Sequence, residues 1–316
     1  MTIQDGSTQN GSRAATTRRG LLKCSLWAGT GILWTVAGGV PVPSLLGRAM
    51  AAEGPSGGGF TFAQISDSHI GFKGEANPDP SSTLQEALAR LKALPKQPSL
   101  LLHTGDVTQL STPEQFDTAR QIIAGAGYET HYVPGEHDVL VDGGKPFFER
   151  FGENPKTEGW YSFDHGGVHF VGLINVFNFN GGLGALGDEQ LAWLEADLKG
   201  HGASTPIVIM AHMPLWSIYP EWGWGTADAD RAMAAVKRFG SVTVLNGHIH
   251  QVIQKVEGHV AFHTAMSTAF PQPAPGEGKG PGPLKVPTER LRAVLGVREV
   301  EVMRGKGFTV ADTTLA

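Results

Sequence analysis

Short apolar runs alternate with segments of helical hydrophobic spacing from residue 60 onward. The runs are rich in branched and aromatic residues and end in Gly, Asp or His, which is typical of buried strands. They predict strands at residues 60–66, 100–104, 129–133, 160–164, 168–175, 206–210, 242–246, 251–257, 259–264, 297–303 and 307–311. The segments between them predict helices at residues 82–94, 113–126, 188–199 and 227–239. This interleaving, followed by hairpins, predicts an α/β fold with mixed sheets.

Local turn and cap residues refine this pattern. Thr112 before Pro113 predicts the start of a helix, because Thr is a good N-cap and Pro suits the first helical position. His165-Gly166-Gly167 and Gly258 predict the turns of two hairpins. Residues 181–187 read as a glycine loop, and the Pro/Gly-rich residues 271–287 predict an irregular excursion over the surface.

Five predicted strands end in turns that carry acidic or histidine side chains. These turns are Asp67-Ser68-His69, Gly105-Asp106, Gly135-Glu136-His137-Asp138, Ala211-His212-Met213-Pro214 and Gly247-His248-Ile249-His250. Open α/β sheets bind ligands beyond the carboxyl ends of their strands. One such turn is common in proteins without any site, whereas five of them favour a polar site at one edge.

The composition suits a soluble globular protein of one sizeable domain. Of 316 residues, 41% are hydrophobic and 17% are charged. The formal net charge is −5, and residues 1–51 hold five basic residues and one acidic residue, which leaves 20 basic and 29 acidic residues and a charge of −9 beyond them. Such a body disfavours binding to nucleic acid or to anionic membranes.

Cysteine usage limits the chemistry. Cys24 is the only cysteine, so intramolecular disulfides and thiolate metal ligands further along the chain are excluded. All 12 histidines follow residue 68. Any metal site must therefore use imidazole, carboxylate or amide ligands.

The first 51 residues read as an export signal. Arg18-Arg19 precedes two leucines and a lysine, an apolar run covers residues 24–46, and Ala49-Met50-Ala51 forms a small-residue cleavage site. The paired arginines resemble the twin-arginine signal, so we expect the twin-arginine export machinery as a partner, cleavage after Ala51 and a periplasmic or extracellular location. The alternative is a permanent membrane anchor.

The five turns, in this order, resemble those of the calcineurin-like metallophosphoesterases over residues 60–265. The resemblance implies that residues 52–316 form a sandwich of two mixed β-sheets flanked by helices, with a two-metal centre across the top. It assigns one ion to Asp67, His69 and His250, the other to Glu136, His212 and His248, and a bridging role to Asp106. Such ligands suit Fe, Mn or Zn without choosing among them.

His248 and His250 are two residues apart, so an ordinary strand would direct them to opposite faces. They must lie in a turn to converge, which Gly247 permits. The resemblance further implies that His137 contacts the phosphate and protonates the leaving oxygen, and that Asp138 orients and charges this imidazole. The expected reaction is hydrolysis by a metal-bridging hydroxide.

Glu136 departs from the family, which usually has Asn here. The extra carboxylate lowers the positive field of the centre and leaves three outcomes open: a harder metal ion, a preference for diesters over monoesters, or loss of hydrolysis. We expect a small-molecule phosphodiester substrate, with a cyclic nucleotide as one candidate. The alternatives are a phosphomonoesterase and a non-catalytic metal- or ligand-binding protein.

Two aromatic groups have an open role. One comprises Trp216, Tyr219, Trp222 and Trp224, and the other comprises Phe177 and Phe179. Each group either forms a rim over the metals on which a flat substrate group stacks, or packs internally to hold its loop.

Overall fold

The computed structural model describes residues 59–153, 159–180, 182–303 and 307–316, together with an antiparallel pair of short strands, β1 (Val36–Ala37) and β2 (Val40–Pro41). Most of the expected export signal, including Arg18, Arg19 and Ala51, lies outside the described residues.

The remaining strands are β3 (Phe60–Ile65), β4 (Leu101–His103), β5 (Thr130–Tyr132), β6 (Tyr161–His165), β7 (Val168–Gly172), β8 (Asn178–Asn180), β9 (Leu183–Ala185), β10 (Ile207–Met210), β11 (Val242–Asn246), β12 (Gln254–Glu257), β13 (Val260–Thr264), β14 (Gly296–Met303) and β15 (Gly307–Thr314). The helices are α1 (Pro80–Lys92), α2 (Pro113–Ala124), α3 (Lys145–Phe151), α4 (Asp188–Leu198), α5 (Ala229–Val236) and α6 (Thr288–Val294). Short 3-10 turns lie at Glu136–Asp138, Asp142–Gly144 and Pro220–Trp222.

Two mixed sheets carry the fold. One has the strand order β12-β13-β11-β10-β7-β6, in which β13, β11, β10 and β7 are parallel. The other has the order β15-β14-β3-β4-β5, in which β3, β4 and β5 are parallel. The carboxyl ends of the parallel strands in each sheet therefore share one edge.

Side chains alternate between the two faces of each strand, and this builds three apolar layers. Phe62, Phe170 and Val208 lie in the cluster between the sheets. Ile207 and Ile209, on the other face of β10, pack with residues of α4 and α5. A third cluster joins β3 and β4 to α1, α2 and α3. The predicted α/β sandwich of two mixed sheets flanked by helices is confirmed.

Several local predictions are also confirmed. Helix α2 begins at Pro113, and the hydroxyl of Thr112 accepts a hydrogen bond from the backbone N–H of Gln115 at 3.4 Å. Strands β6 and β7 pair as a hairpin in which Gly166 and Gly167 have φ of 60° and 83°, as glycines in such a turn readily adopt.

Other local predictions are wrong or incomplete. The glycine loop at residues 181–187 contains β9, which pairs with β8. Helices α3 and α6 have only seven residues each, too few for a clear hydrophobic period. Residues 271–287 contain no described helix or strand, as expected, but Gln272 and Ala274 are buried, so the segment does not run over the surface from its start. Among the helices in the described part of the chain, none is long and apolar enough to span a membrane.

Candidate metal centre

The predicted ligands lie just beyond the carboxyl ends of parallel strands of both sheets. Asp67, Asp106 and Glu136 follow β3, β4 and β5, whereas His212 follows β10 and His248 and His250 follow β11. Hydrogen bonds join the two edges: the Nδ1 of His212 binds the carbonyl of Thr104 at 2.7 Å, and the backbone N–H of His248 donates to Asp67 Oδ1 at 3.0 Å.

The backbone at these turns is unusual. Seven described non-glycine residues have positive φ, and five of them are predicted ligands: Asp67 at 54°, His69 at 41°, Asp106 at 51°, His248 at 70° and His250 at 56°. Left-handed backbone is costly for a residue with a side chain and persists only where the surroundings enforce it, which is typical of functional sites. The same geometry lets His248 and His250 converge.

The glycines of the turns permit close approach. A Cβ on Gly247 would lie 2.1 Å from Ser66 Oγ and 2.7 Å from Asp67 Oδ2, and one on Gly135 would lie 2.1 Å from Asp106 Oδ1. Gly247 is not among the residues of positive φ, and it permits the turn, as expected, because it has no Cβ to meet Ser66 and Asp67. The histidines adopt the turn themselves, and Gly247 makes room for the carboxylate of Asp67.

Asp67, His69 and His250 form one group of ligand atoms, and all three side chains are buried. His69 Nε2 lies 3.2 Å from His250 Nε2, and His250 Nε2 lies 3.3 Å from Asp67 Oδ1. Two imidazole nitrogens that face each other at this distance need a proton or a cation between them.

Glu136, His212 and His248 form the second group. Glu136 Oε2 lies 2.8 Å from His212 Nε2, and its Oε1 lies 2.9 Å from His248 Nδ1. Asp106 stands between the groups, with Oδ2 3.6 Å from His69 Nε2 and 3.4 Å from His212 Nε2. The structure therefore brings all seven predicted ligands together, with Asp106 in the position expected of a bridge.

Several of these buried atoms have no hydrogen-bond partner, and this tests whether the residues fit a metal. The unpaired atoms include Asp67 Oδ2, Glu136 Oε2, His212 Nε2 and both ring nitrogens of His248. Glu136 Oε2 and His212 Nε2 approach to 2.8 Å without hydrogen-bond geometry. Buried polar atoms left in this way are costly, and coordination of a shared cation would satisfy them. The donor set fits first-row metal ions.

The backbone also fixes the ring orientations. The Nδ1 atoms of His212 and His250 bind the carbonyls of Thr104 and Phe270 at 2.7 and 2.5 Å, so these nitrogens carry the proton. The Nε2 of each ring then faces the carboxylates as an acceptor. Such a second partner is what orients histidine ligands in metal sites.

Charge within the centre is strongly coupled. Burial alone would raise the pKa of Glu136, but His248 and His212 lower it well below its ordinary range. Burial lowers the pKa of His212, yet Asp106 and Glu136 raise it well above 6.5. The carboxylates thus favour positive charge at this point, which a bound cation would supply.

His137 lies at the edge of this centre. Its Nδ1 binds the carbonyl of Gln109 at 2.8 Å, and its backbone N–H donates to Asp106 Oδ1 at 2.9 Å. Its ring lies 5.0 Å from that of His69. Burial lowers the pKa of His137, but Asp106 and Glu136 outweigh burial and raise it. A ring nitrogen of His137 lies within 4.8 Å of ligand atoms of His69 and Asp106.

Asp138 has a different position from the expected one. Its carboxylate accepts hydrogen bonds from the backbone N–H groups of Val107, Thr108 and Gly135, at 2.9 to 3.0 Å. Burial, and then Asp106, raise its pKa to about 7. The contact that orients the His137 ring comes from Gln109, so the orienting role expected of Asp138 is wrong, whereas its charge contributes to the raised pKa of His137, as expected. Asp138 instead joins the loops that carry Asp106 and Glu136.

A segment that sequence reasoning missed supports the centre from behind. Ser267 Oγ donates to the carbonyl of Asp67 at 2.7 Å, and Gln272 Nε2 donates to the carbonyl of His248 at 2.8 Å. The ring of Phe270 stacks on that of His69, with centroids 4.7 Å apart. The Pro/Gly-rich composition of this region gave no sign of the role.

The two aromatic groups differ. Trp216 and Trp224 are buried in the cluster beneath α4 and α5, and Trp222 packs edge-on against Trp224 at 5.1 Å. These tryptophans therefore hold their own loop and do not form a rim over the ligands. Phe177 and Phe179, in contrast, are exposed.

Residues 60–252 match the Calcineurin-like phosphoesterase family. The chain is 28% identical over 217 residues to a 3',5'-cyclic-nucleotide phosphodiesterase of Nostoc sp., which covers 67% of this chain and 79% of that protein. It is 27% identical over 207 residues to a glycerophosphodiester phosphodiesterase of Enterobacter lignolyticus, which covers 60% of this chain and 70% of that protein.

The fold is also similar to that of solved structures. A dimetal phosphatase from Danio rerio superposes with a TM-score of 0.58 at 14% identity, covering 81% of this chain and 99% of that one. At this identity the likeness concerns the fold alone. The family match and the strand-end ligands together lead to one conclusion: the chain belongs to the calcineurin-like phosphoesterase family and is a metal-dependent hydrolase of phosphoric esters.

Proposed function

We propose that the protein hydrolyses a phosphodiester at a centre of two metal ions. The observation that carries this proposal is the pair of ligand groups on either side of Asp106, in which several buried atoms, such as Glu136 Oε2 and His212 Nε2, have no hydrogen-bond partner. Asp67, His69 and His250 would hold one ion, Glu136, His212 and His248 the other, and Asp106 both. When bound, two such ions activate a water molecule and neutralise charge on the phosphoryl oxygens.

His137 supplies the proton for the leaving oxygen in this proposal. Its Nδ1 proton is donated to the carbonyl of Gln109, which leaves Nε2 to hold the transferable proton. The ring is fixed beside the ligands by the bond from its backbone N–H to Asp106. General acid catalysis of this kind contributes about 10²- to 10⁴-fold.

A diester is favoured over a monoester by charge. Asp67, Asp106 and Glu136 place three carboxylates in the centre, so its positive field is weaker than with the Asn usual in the family. A monoester carries two negative charges near neutral pH and a diester only one, so a weaker field penalises the monoester more. The names of the two relatives, a cyclic-nucleotide and a glycerophosphodiester phosphodiesterase, support the same choice.

The test compares a diester and a monoester of the same alcohol after loading the purified protein with Mn, Fe or Zn. We expect faster turnover of the diester. Glu136→Asn should lower the ratio of diester turnover to monoester turnover, because it removes one negative charge from the centre. Faster monoester turnover by the wild type under every metal would contradict the proposed preference and would favour a phosphomonoesterase.

We further propose that the protein is exported through the twin-arginine machinery and acts in the periplasm or outside the cell. The support is Arg18-Arg19 followed by the apolar run and Ala-x-Ala. N-terminal sequencing of the protein recovered outside the cytoplasm should find a chain that begins at Ala52. A chain that retains Arg18 and Arg19 and sediments with membranes would overturn this proposal in favour of an anchor.

A further inference from the structure

Large hydrophobic side chains are exposed mainly at one place. In the described part of the chain, six such residues are between 37% and 58% exposed. Five of them follow β4, β5 and β7 along the chain, with Phe179 on the short strand β8 after β7, and the sixth, Val256, lies on the edge strand β12. We call these five residues the apolar rim; they are Leu110, Leu140, Val141, Phe177 and Phe179.

Two of the three loops are bonded to each other around His137. Ser111 Oγ donates to the carbonyl of His137 at 2.6 Å, and the backbone N–H of Leu140 donates to Ser111 Oγ at 3.0 Å. Gln109, next to Leu110, binds the His137 ring through its carbonyl. Leu110, Leu140 and Val141 are therefore held within a few residues of the candidate proton donor.

The third loop joins the same region from the other sheet. Asn175 Nδ2 donates to the carbonyl of Met213, the residue after His212, at 2.8 Å. Val176 and Met213 belong to one small apolar cluster, against which Val139 packs. Phe177 continues from this cluster, with its ring 6.1 Å from that of Phe148. The chain segments that carry the rim therefore contact the chain next to His137 and His212.

Exposed apolar groups gathered beside a polar catalytic centre mark a binding surface rather than a solvent-facing one. We propose that the apolar rim binds an alkyl chain on one ester oxygen of the substrate, so that the substrate class is a phosphodiester with one polar and one alkyl ester group. This inference rests on the proposed function, which places the phosphate of the substrate at the two-metal centre. The rim combines three branched aliphatic side chains with two rings, which suits a flexible chain.

The reaction itself is ordinary hydrolysis. Water adds its oxygen to phosphorus and releases a proton, one P–O ester bond breaks, and the leaving alkoxide receives a proton from His137, to give an alcohol and a phosphomonoester. The proton released by water then restores His137. The alkyl chain takes no part in this exchange. Its burial contributes only binding free energy, so its effect should grow with chain length.

The experiment uses glycerophosphodiesters of methanol, butanol and octanol with the metal-loaded full chain, each below its critical micelle concentration. Loss of diester is followed by phosphorus NMR. Seven additional methylenes, each partly buried, should raise kcat/KM for the octyl ester on the order of 100-fold over the methyl ester.

Three variants test whether the rim residues cause the dependence of kcat/KM on alkyl chain length. Leu140→Ser and Phe179→Ser should each reduce the octyl-to-methyl ratio by about fivefold or more, because each removes apolar contact area. Val256→Ser is the matched control, since it removes an equally exposed hydrophobic side chain from β12, and it should leave the ratio unchanged.

Each outcome of this experiment supports or overturns the inference. Methyl ester hydrolysis without any rise along the series would overturn the inference and leave the proposed function intact. A rise only above the micelle concentration would overturn it in favour of docking to a lipid surface. If none of the esters is hydrolysed, the proposed function fails, and calorimetry then tests the rim alone. The octyl ester must bind more tightly than the methyl ester to the wild type, and this difference in affinity must be smaller in Phe179→Ser. Equal affinities of the two esters for the wild type would overturn the inference.

Discussion

Two histidines at opposite ends of the six-stranded sheet lie among carboxylates, and the difference between them explains what distinguishes the metal centre. His169 pairs with the first residue of β10, whereas His212 follows the last. His169 bonds to Asp164 through Nδ1 at 2.9 Å and to Asp197 through Nε2 at 2.8 Å. The Nε2 of His212 is equally close to Glu136 but has no hydrogen-bond partner.

Closely spaced carboxylates and histidines occur around both His169 and His212, so proximity alone does not distinguish the metal centre. Asp164, His169 and His201 also lie close enough to hold an ion. At that end each ring nitrogen of His169 has its own carboxylate, so the polar atoms are satisfied by protons and hydrogen bonds. At the other end several buried ligand atoms have no hydrogen-bond partner, and five of the seven ligands lie on strained backbone. The unpaired buried atoms, rather than the residue types, therefore indicate where a cation is needed.

The largest expected effect comes from removing the bridge. Asp106→Ala should reduce bound metal and lower diester turnover on the order of 10³-fold or more, because metal activation supplies several kcal/mol of transition-state stabilisation. Elemental analysis and initial rates check this. His169→Gln is the control at the other end of the sheet, and metal content that fell equally in both variants would break the distinction drawn between the two groups.

His137→Ala should separate catalysis from metal binding. We expect turnover to fall by about 10²- to 10⁴-fold with metal content unchanged, because the ring lies beside the ligands and its loss removes the proton donor. The exposed His259→Ala is the matched control and should retain full rate. Equal rates in wild type and His137→Ala would remove the catalytic role of this residue.

A smaller effect should follow from Gly247→Ala. The added Cβ would meet Ser66 Oγ at 2.1 Å and Asp67 Oδ2 at 2.7 Å, so Asp67 must shift, and a displaced ligand should cost about 10- to 100-fold in rate. Gly280→Ala, where a Cβ meets nothing within 4 Å, is the control. The close approach proposed for Gly247 would be disproved by a variant with normal rate and normal metal content.

The smallest effect concerns stability at the His169 end. Burial lowers the pKa of His169, but its bonds to Asp197 and Asp164 raise it above the ordinary value of 6.5. The native state then binds this proton more tightly than the unfolded chain. His169 therefore stabilises the fold below pH 6.5, and this contribution is lost as the pH rises through the native pKa.

Denaturant unfolding of wild type and His169→Gln across this pH range measures that contribution. The loss of stability in the variant should be on the order of 1 kcal/mol below pH 6.5 and should shrink as the solution becomes alkaline. A loss that grew with pH would show that His169 is neutral in the native protein, and the two carboxylates would then need another explanation.

The strand-end turns that carry the candidate ligands were predictable because their parts are local in sequence. Each strand-end turn, such as Gly105-Asp106 or Gly247-His248, shows its strand, its break and its ligand within a few residues. Contacts made by distant segments left no such pattern. Phe270 and Gln272 support His69 and His248 only through tertiary packing, and Asp138 bonds to loop backbone that sequence order does not place beside it.

The aromatic loop after His212 also shows a limit of prediction from the sequence. Trp216 and Trp224 follow His212 closely, which made a rim over the metals reasonable, yet both are buried beneath α4 and α5. Nearness in sequence to a ligand did not fix the direction of a long side chain. Phe177 follows β7 and Phe179 lies on the short strand β8, and both side chains are exposed.

Metal content is the most direct test of the central claim. The purified protein would be stripped with a chelator, reloaded with Mn, Fe or Zn, freed of excess ion and analysed beside Asp106→Ala and His169→Gln. The account predicts about two ions per chain in the wild type and in His169→Gln, and fewer in Asp106→Ala. The account would be contradicted if the wild type bound no ion under any loading condition. It would also be contradicted if His169→Gln lost the ions and Asp106→Ala kept them.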